Sequence, residues 1–238
     1  MRKIFFLVAL FLCSKFLFAQ QEHTQSDGHN HEHADESYHP KYLFQLQEGD
    51  LIFQDLDCGP LCDAIEKVTN GIYGIDFSHI GLVHYHENGA IYIIEAIGNN
   101  VQETALDLFL TRNIDTLGKP RCAVGRPEDT LQKYIPATVS LCLAEVGKPY
   151  DDVFLVNNDK WYCSELLATM FNKASHREIF TFEPMTFKDP FTHEYFPAWI
   201  DYYKKLGVNI PEAESGCNPG LMSRSPYLMI LLPYARFK

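Results

Sequence analysis

Apolar positions divide the chain at Tyr42. From Gln20 to His39 the sequence is polar and rich in His, Glu, Ser and Asp, a composition that cannot build a core and reads as a disordered leader. From Tyr42 onward, short apolar runs bounded by Gly, Pro, Asn and Asp alternate with stretches of helical period. Gly49-Asp50-Leu51-Ile52-Phe53-Gln54 predicts a turn entering a strand, and Cys62 to Thr69 a short helix ended by Asn70-Gly71. His79 to His86 and Ile91 to Ala96, separated by Glu87-Asn88-Gly89, predict a β-hairpin that leaves through Gly98-Asn99-Asn100-Val101.

Further along, the pattern predicts a short helix at Thr104 to Arg112, a strand at Arg121 to Arg126, and a helix from Leu131 to Val146 with Pro136 in its first turn. Gly147-Lys148-Pro149-Tyr150 ends that helix. Cys163 to Lys173 is a helix with Leu166, Leu167 and Met170 on its apolar side. Phe180 to Pro197 suits a structured loop packed over a core, and Pro211 to Pro226 an irregular segment. The sum is an α+β fold, an antiparallel sheet with helices packed on one side. With 238 residues, 46% of them hydrophobic, the chain fills one core, and we place the domain at residues 42–238 after a leader at 20–41.

Met1 to Ala19 has the form of a secretory signal: Arg2 and Lys3, then the apolar run Phe5 to Leu12, then a cut after Ala19. This predicts an exported protein, periplasmic or secreted. The apolar run is too short to span a bilayer, and bulky Leu12 before Cys13 argues against a lipid anchor there. The formal charge of −11 falls by three more units when Arg2, Lys3 and Lys15 are removed, so nothing neutralises phosphate and nucleic-acid binding is excluded. The five leader histidines, His23, His29, His31, His33 and His39, read as part of a solvated linker, with a metal-binding arm as the alternative. Cys58 and Cys62 are read as a disulfide or two buried thiols, since no second pair of similar spacing supports a zinc site.

Three residues have the types a thiol acyl-transfer site needs. A free thiol has a pKa of about 8.5, so a nucleophilic cysteine requires a helix N-terminus or an imidazolium beside it. Cys163 opens its helix, where unpaired backbone N–H groups supply partial positive charge and suit an oxyanion. A small buried structural residue is the plainer account of any cysteine. His79 is the best base, because it opens a strand between Ser78 and Gly81, while His84 and His86 farther along read as outward-facing. A three-residue Glu87-Asn88-Gly89 loop with left-handed Gly89 pairs His86 with Ala90 and Gly81 with Glu95, which puts Glu95 on the face of His79 and diagonal to it. A two-residue loop would turn Glu95 away. In the first register Glu95 accepts the imidazole N–H and orients the ring.

Gly49 to Gln54, Ser78-His79-Ile80-Gly81, Glu95-Ala96, Gly147 to Tyr150, Tyr162-Cys163-Ser164-Glu165-Leu166 and Asn218-Pro219-Gly220, taken in order, resemble the permuted papain-like amidases, the YiiX-like branch of the NlpC superfamily of cysteine peptidases. The likeness runs from Tyr42 to Leu231. It implies a circularly permuted papain-like core in which the nucleophile helix follows the sheet. It also implies Cys163 as nucleophile, His79 as base, Glu95 as orienting residue, and Tyr150 and Gln54 lining the site, with neither metal nor cofactor. The expected function is an exported cysteine amidase or peptidase acting on amide bonds, cell-wall peptides among them. An acyltransferase or lipid hydrolase on the same fold is the second reading, and a non-catalytic ligand-binding module the third.

Overall fold

A computed structural model describes residues 45–231, so the expected signal at 1–19, the anchor alternative at Cys13 and the leader at 20–41 lie outside the described residues. In chain order the elements are β1 (Leu51–Gln54), α1 (Pro60–Val68), β2 (His79–Tyr85), β3 (Ile91–Ile97), β4 (Asn100–Ala105) and α2 (Leu106–Thr111). Then come β5 (Cys122–Pro127), α3 (Asp129–Gln132), α4 (Ile135–Leu143), α5 (Cys163–Ser175), β6 (Glu183–Pro184), α6 (Pro197–Leu206), β7 (Ser215–Gly216), α7 (Pro219–Ser223) and β8 (Leu228–Leu231). Six strands make one antiparallel sheet in the order β4-β3-β2-β1-β5-β8, while β6 and β7 pair separately.

Side chains alternate along a strand, so the sheet has two distinct faces. On one, Leu51, Phe53, Ile80, Leu82, Ile94 and Ala96 pack against Leu166, Leu167 and Met170 of α5 and against Ile135 and Val139 of α4. On the other, Ile52, Val83, Ile93 and Val124 are covered by Leu106, Phe109 and Leu110 of α2. Helices therefore cover both faces, which corrects the one-sided expectation. The apolar positions of α2 stand at i, i+3 and i+4 and form a stripe even in a six-residue helix. A third cluster, Ala64 of α1 with Phe187, Trp199 and Tyr203, joins α1 to α6.

Other boundaries differ from the sequence reading for local reasons. Residues 104 and 105 are the end of β4, not helix; a tight turn at Gly98-Asn99, with Gly98 at φ +65°, brings β4 back along β3. The expected long helix is two pieces, because Pro136 lacks an N–H and its ring crowds the carbonyl four residues earlier, which breaks the helix before α4. The expected irregular stretch 211–226 contains α7, whose start is capped by Asn218: its Oδ1 accepts the Leu221 N–H at 2.8 Å. Cys58 and Cys62 form a disulfide across the first turn of α1.

The hairpin follows the three-residue loop. Leu82 lies opposite Ile94 and Tyr85 opposite Ile91, the His86 N–H donates to the Ala90 carbonyl at 2.9 Å, and Gly89 has φ +83°. Carried one residue further, this register sets Gly81 opposite Glu95 and puts His79 and Glu95 on one face.

Candidate active site

Cys163 is the first residue of α5, where the first-turn amides have no intrahelical partner and the Tyr162 side chain at the cap position makes no capping bond to them. Tyr162 at the cap position is extended, and the Glu165 carboxylate reaches back to accept from the Tyr162 backbone N–H, one half of a capping box. Burial, followed by the charge of Asp151, raises Glu165 to about 8. A protonated Glu165 spares a sulfur anion two residues away from a like charge.

His79, the first residue of β2, is buried and stands between two partners. Its Nε2 is 2.5 Å from Glu95 Oε2, and the Cys163 thiol is within hydrogen-bonding reach of the ring. With Nε2 engaged by the carboxylate, Nδ1 is the nitrogen left for sulfur. Burial alone lowers the affinity of the ring for a second proton, but the hydrogen bonds to Cys163 and Glu95 outweigh it and lift His79 to about 9.

Glu95 is fully buried at the centre of a fixed network. Arg112 donates to both carboxylate oxygens, at 2.9 Å from Nη1 and 2.6 Å from Nη2, and Thr104 Oγ1 donates at 2.5 Å. Burial alone would raise this carboxyl, yet the Arg112 and His79 hydrogen bonds hold it down at about 2. It stays ionised throughout the neutral range and favours the imidazolium. The sequence reading missed Arg112 and Thr104. The pattern at 104–112 predicts a helix for Thr104, and only the β3–β4 turn reveals that it lies opposite Ile93, diagonal to Glu95.

Cys163 opens into a cavity of about 450 Å³. One wall is apolar and aromatic, with Ile65, Val68, Phe154, Met185, Phe187 and Trp199; Thr69, Asn70, Asn218 and Arg224 supply polar groups. Tyr150 lines this cavity, and burial followed by the nearby Cys163 charge pushes its phenol well up, so it stays an O–H donor. Gln54 is not among the lining residues. It lies beside His79 across the β1–β2 pair, its Nε2 donates to the Phe109 carbonyl at 2.9 Å, and its Oε1 has no protein partner. It thus stands beside the histidine, outside the residues that line the cavity.

Cys217 also lines the cavity, with its N–H donating to the Tyr162 hydroxyl at 3.2 Å and its carbonyl accepting from Ser164 Oγ at 3.0 Å. Burial pushes the Cys217, Cys122 and Cys142 thiols up, which keeps them protonated. Among the described residues, Cys163 is the thiol that has an imidazole as hydrogen-bond partner. The arrangement can activate a thiol, orient its base and present backbone amides to an anion.

A family model described as permuted papain-like amidase enzyme, of the YaeF and YiiX type, matches residues 45–232. The uncharacterized protein YiiX of Escherichia coli (strain K12) is 28% identical over 193 residues, covering 79% of this chain and 87% of the relative. A crystal structure titled metalloprotein yiiX, from Escherichia coli O157:H7, superposes with a TM-score of 0.63 at 27% identity, covering 79% of this chain and 97% of that one.

Proposed function

Since the chain belongs to the permuted papain-like amidases, we propose that it is an exported cysteine hydrolase of amide bonds in which Cys163 is the nucleophile, His79 the general base and acid, and Glu95 the orienting residue. The observation that carries this reading is the unbroken series of contacts from Cys163 through His79 to Glu95, with Glu95 fixed by Arg112 and Thr104. A thiolate at Cys163 attacks the carbonyl carbon while first-turn amides of α5 hold the oxyanion. His79 gives its proton to the leaving amine as the tetrahedral adduct collapses to a thioester. It then takes a proton from water, which attacks the thioester, and the acid is released. Every step runs on residues of this chain.

Peptide amides of exported material, cell-wall fragments included, are the proposed substrates. The Cys58–Cys62 disulfide supports an oxidising compartment for the mature protein. The apolar wall of Phe154, Met185, Phe187 and Trp199 favours a second reading, hydrolysis or transfer of a fatty acyl group. The test is to incubate the purified protein and its Cys163→Ala variant with cell-wall peptides and with acyl esters, and to follow products by mass spectrometry. Cys163-dependent release of amines supports the amidase; release or exchange of acyl chains alone replaces it with the second reading. If neither substrate turns over and Cys163 reacts with a thiol probe no faster than the buried cysteines, the hydrolase reading fails.

A further inference from the structure

A second cluster occupies the end of β2 opposite His79. His84 and His86 are two residues apart in and just past the strand, so both side chains leave the same face, and Glu103 of β4 stands alongside, opposite Ile94. One ligand atom from each of His84, His86 and Glu103 lies within 4.8 Å of the other two. Ligand atoms around one Zn²⁺ at about 2.0–2.2 Å stand about 3.4 Å apart in a tetrahedron, so side-chain rotations of about an ångström close the shell. All three side chains are half-buried.

The hydrogen bonds around His84 point to a ligand more than to a simple ion pair. His84 Nδ1 is 2.8 Å from Glu48 Oε1, and because a carboxylate only accepts, the neutral ring carries its proton on Nδ1 and leaves the Nε2 lone pair free. Glu48 is fixed in turn, since its Oε2 accepts the Tyr85 N–H at 2.6 Å. An imidazole whose far nitrogen donates to an anchored carboxylate is the arrangement that orients metal-binding histidines. The His86 ring stacks on Tyr92 with centroids 4.1 Å apart, and its Nε2 lies 2.7 Å from Glu103 Oε1, so a cation entering there exchanges one hydrogen bond for two coordinate bonds.

We propose that His84, His86 and Glu103 bind a first-row divalent cation, Zn²⁺ foremost, with a fourth position open to water and Glu48 as the positioning residue of His84. Two imidazoles and one carboxylate suit Zn²⁺, whereas Ca²⁺ and Mg²⁺ need more oxygen ligands. The site ties β2 to β4 and to the segment before β1. Five residues of extended chain, roughly 17 Å, separate His84 from His79, so the cation acts on the sheet and not on the reacting atoms.

The test titrates the metal-free full chain with Zn²⁺ against a fluorescent chelator, beside a His84→Ala/His86→Ala double variant. Leader histidines are present in both and cancel. The parent is expected to hold one more ion than the double variant, and Glu48→Gln to weaken that site about 10- to 100-fold; superimposable isotherms overturn the proposal. A second measurement needs no variant to fold: peptide mapping after diethyl pyrocarbonate treatment of the parent chain. Zn²⁺ should shield His84 and His86 while exposed His176 and His193 are acylated as before. Equal acylation of His84 and His86 with and without Zn²⁺ overturns the proposal.

Discussion

The two ends of β2 put histidine to opposite uses. At the start, His79 is buried, bonded to a carboxylate with no solvent access, and driven toward the imidazolium. At the far end, His84 and His86 are half-buried and each meets a glutamate that water also reaches. Both ends pair imidazole with carboxylate at hydrogen-bond distance. The difference lies in the second partner: Arg112 and Thr104 saturate Glu95 and lock one geometry, whereas Glu48 leaves a nitrogen lone pair of His84 free. A histidine–glutamate contact therefore says little until the remaining lone pairs and protons are followed.

The largest effect that can break this contrast is at the buried end. Cys163→Ala and His79→Ala should each lower kcat/KM by at least about 10³-fold, read by steady-state hydrolysis, while His84→Ala leaves it within about twofold. An equal loss in all three would erase the distinction. Removing the guanidinium comes next: Arg112→Ala leaves Glu95 buried with part of its support gone and should cost about 3 kcal/mol in urea denaturation. It should also move the alkaline limb of the kcat/KM profile, expected near the His79 value of about 9, to higher pH, because Glu95 stays ionised there and its charge is then less offset beside the imidazolium. Gly81→Ala follows, because a Cβ there would come 2.2 Å from Ile93 Cγ2 and 3.1 Å from Phe109 Cε2. Overpacking of that kind costs about 1–3 kcal/mol and presses on the strand that carries both histidine sites.

The smallest effects are read through pH. His79 is raised above its ordinary 6.5, so its stabilising contribution is complete below about 6.5 and is lost as pH rises through about 9. Glu95 is lowered below 4.5, so its contribution is complete above about 4.5 and is lost as pH falls toward 2. Between those limits, thermal melts should show a plateau from this pair. Glu165 behaves in the opposite sense: held up at about 8, it favours the folded state at low pH and loses that advantage between about 4.5 and 8. Glu165→Gln should therefore gain melting temperature relative to the parent at pH 8 and gain none at pH 4. A constant difference across that range would assign Glu165 a purely steric role.

Much of the buried end was legible because short-range chemistry determines it. Asn88-Gly89 admits a two- or a three-residue loop, and only the longer one puts Glu95 on the face of His79, so residues 79–95 narrow the contact to one of two registers, of which the structure takes the three-residue one. Cys163 was legible because polar Tyr162-Cys163-Ser164 meets the apolar stripe of α5 there. Arg112 and Thr104 were hidden, since their link to Glu95 requires β4 to fold back at Gly98-Asn99, and Asn100–Ala105 carries little apolar alternation. Gln54 is legible as a strand residue, and its place opposite His79 needs the β1–β2 pairing, which no local pattern reveals. His84 and His86 read as outward-facing when judged on their strand alone. Glu48 and Glu103, which partner them, come from the segment before β1 and from β4.

The placement of α5 after five of the six sheet strands has a consequence in time. A chain that leaves the ribosome or crosses a membrane from its N-terminus presents β1 to β5 before Cys163, at about 5–20 residues per second. His79, Glu95 and Arg112 can settle into their network while the thiol is still seconds away, and the Cys58–Cys62 pair, nearest neighbours in order of arrival, can close before Cys163 competes for either sulfur. The order of the chain thus serves as a schedule, in which the proposed nucleophile is the last of the proposed catalytic set to appear.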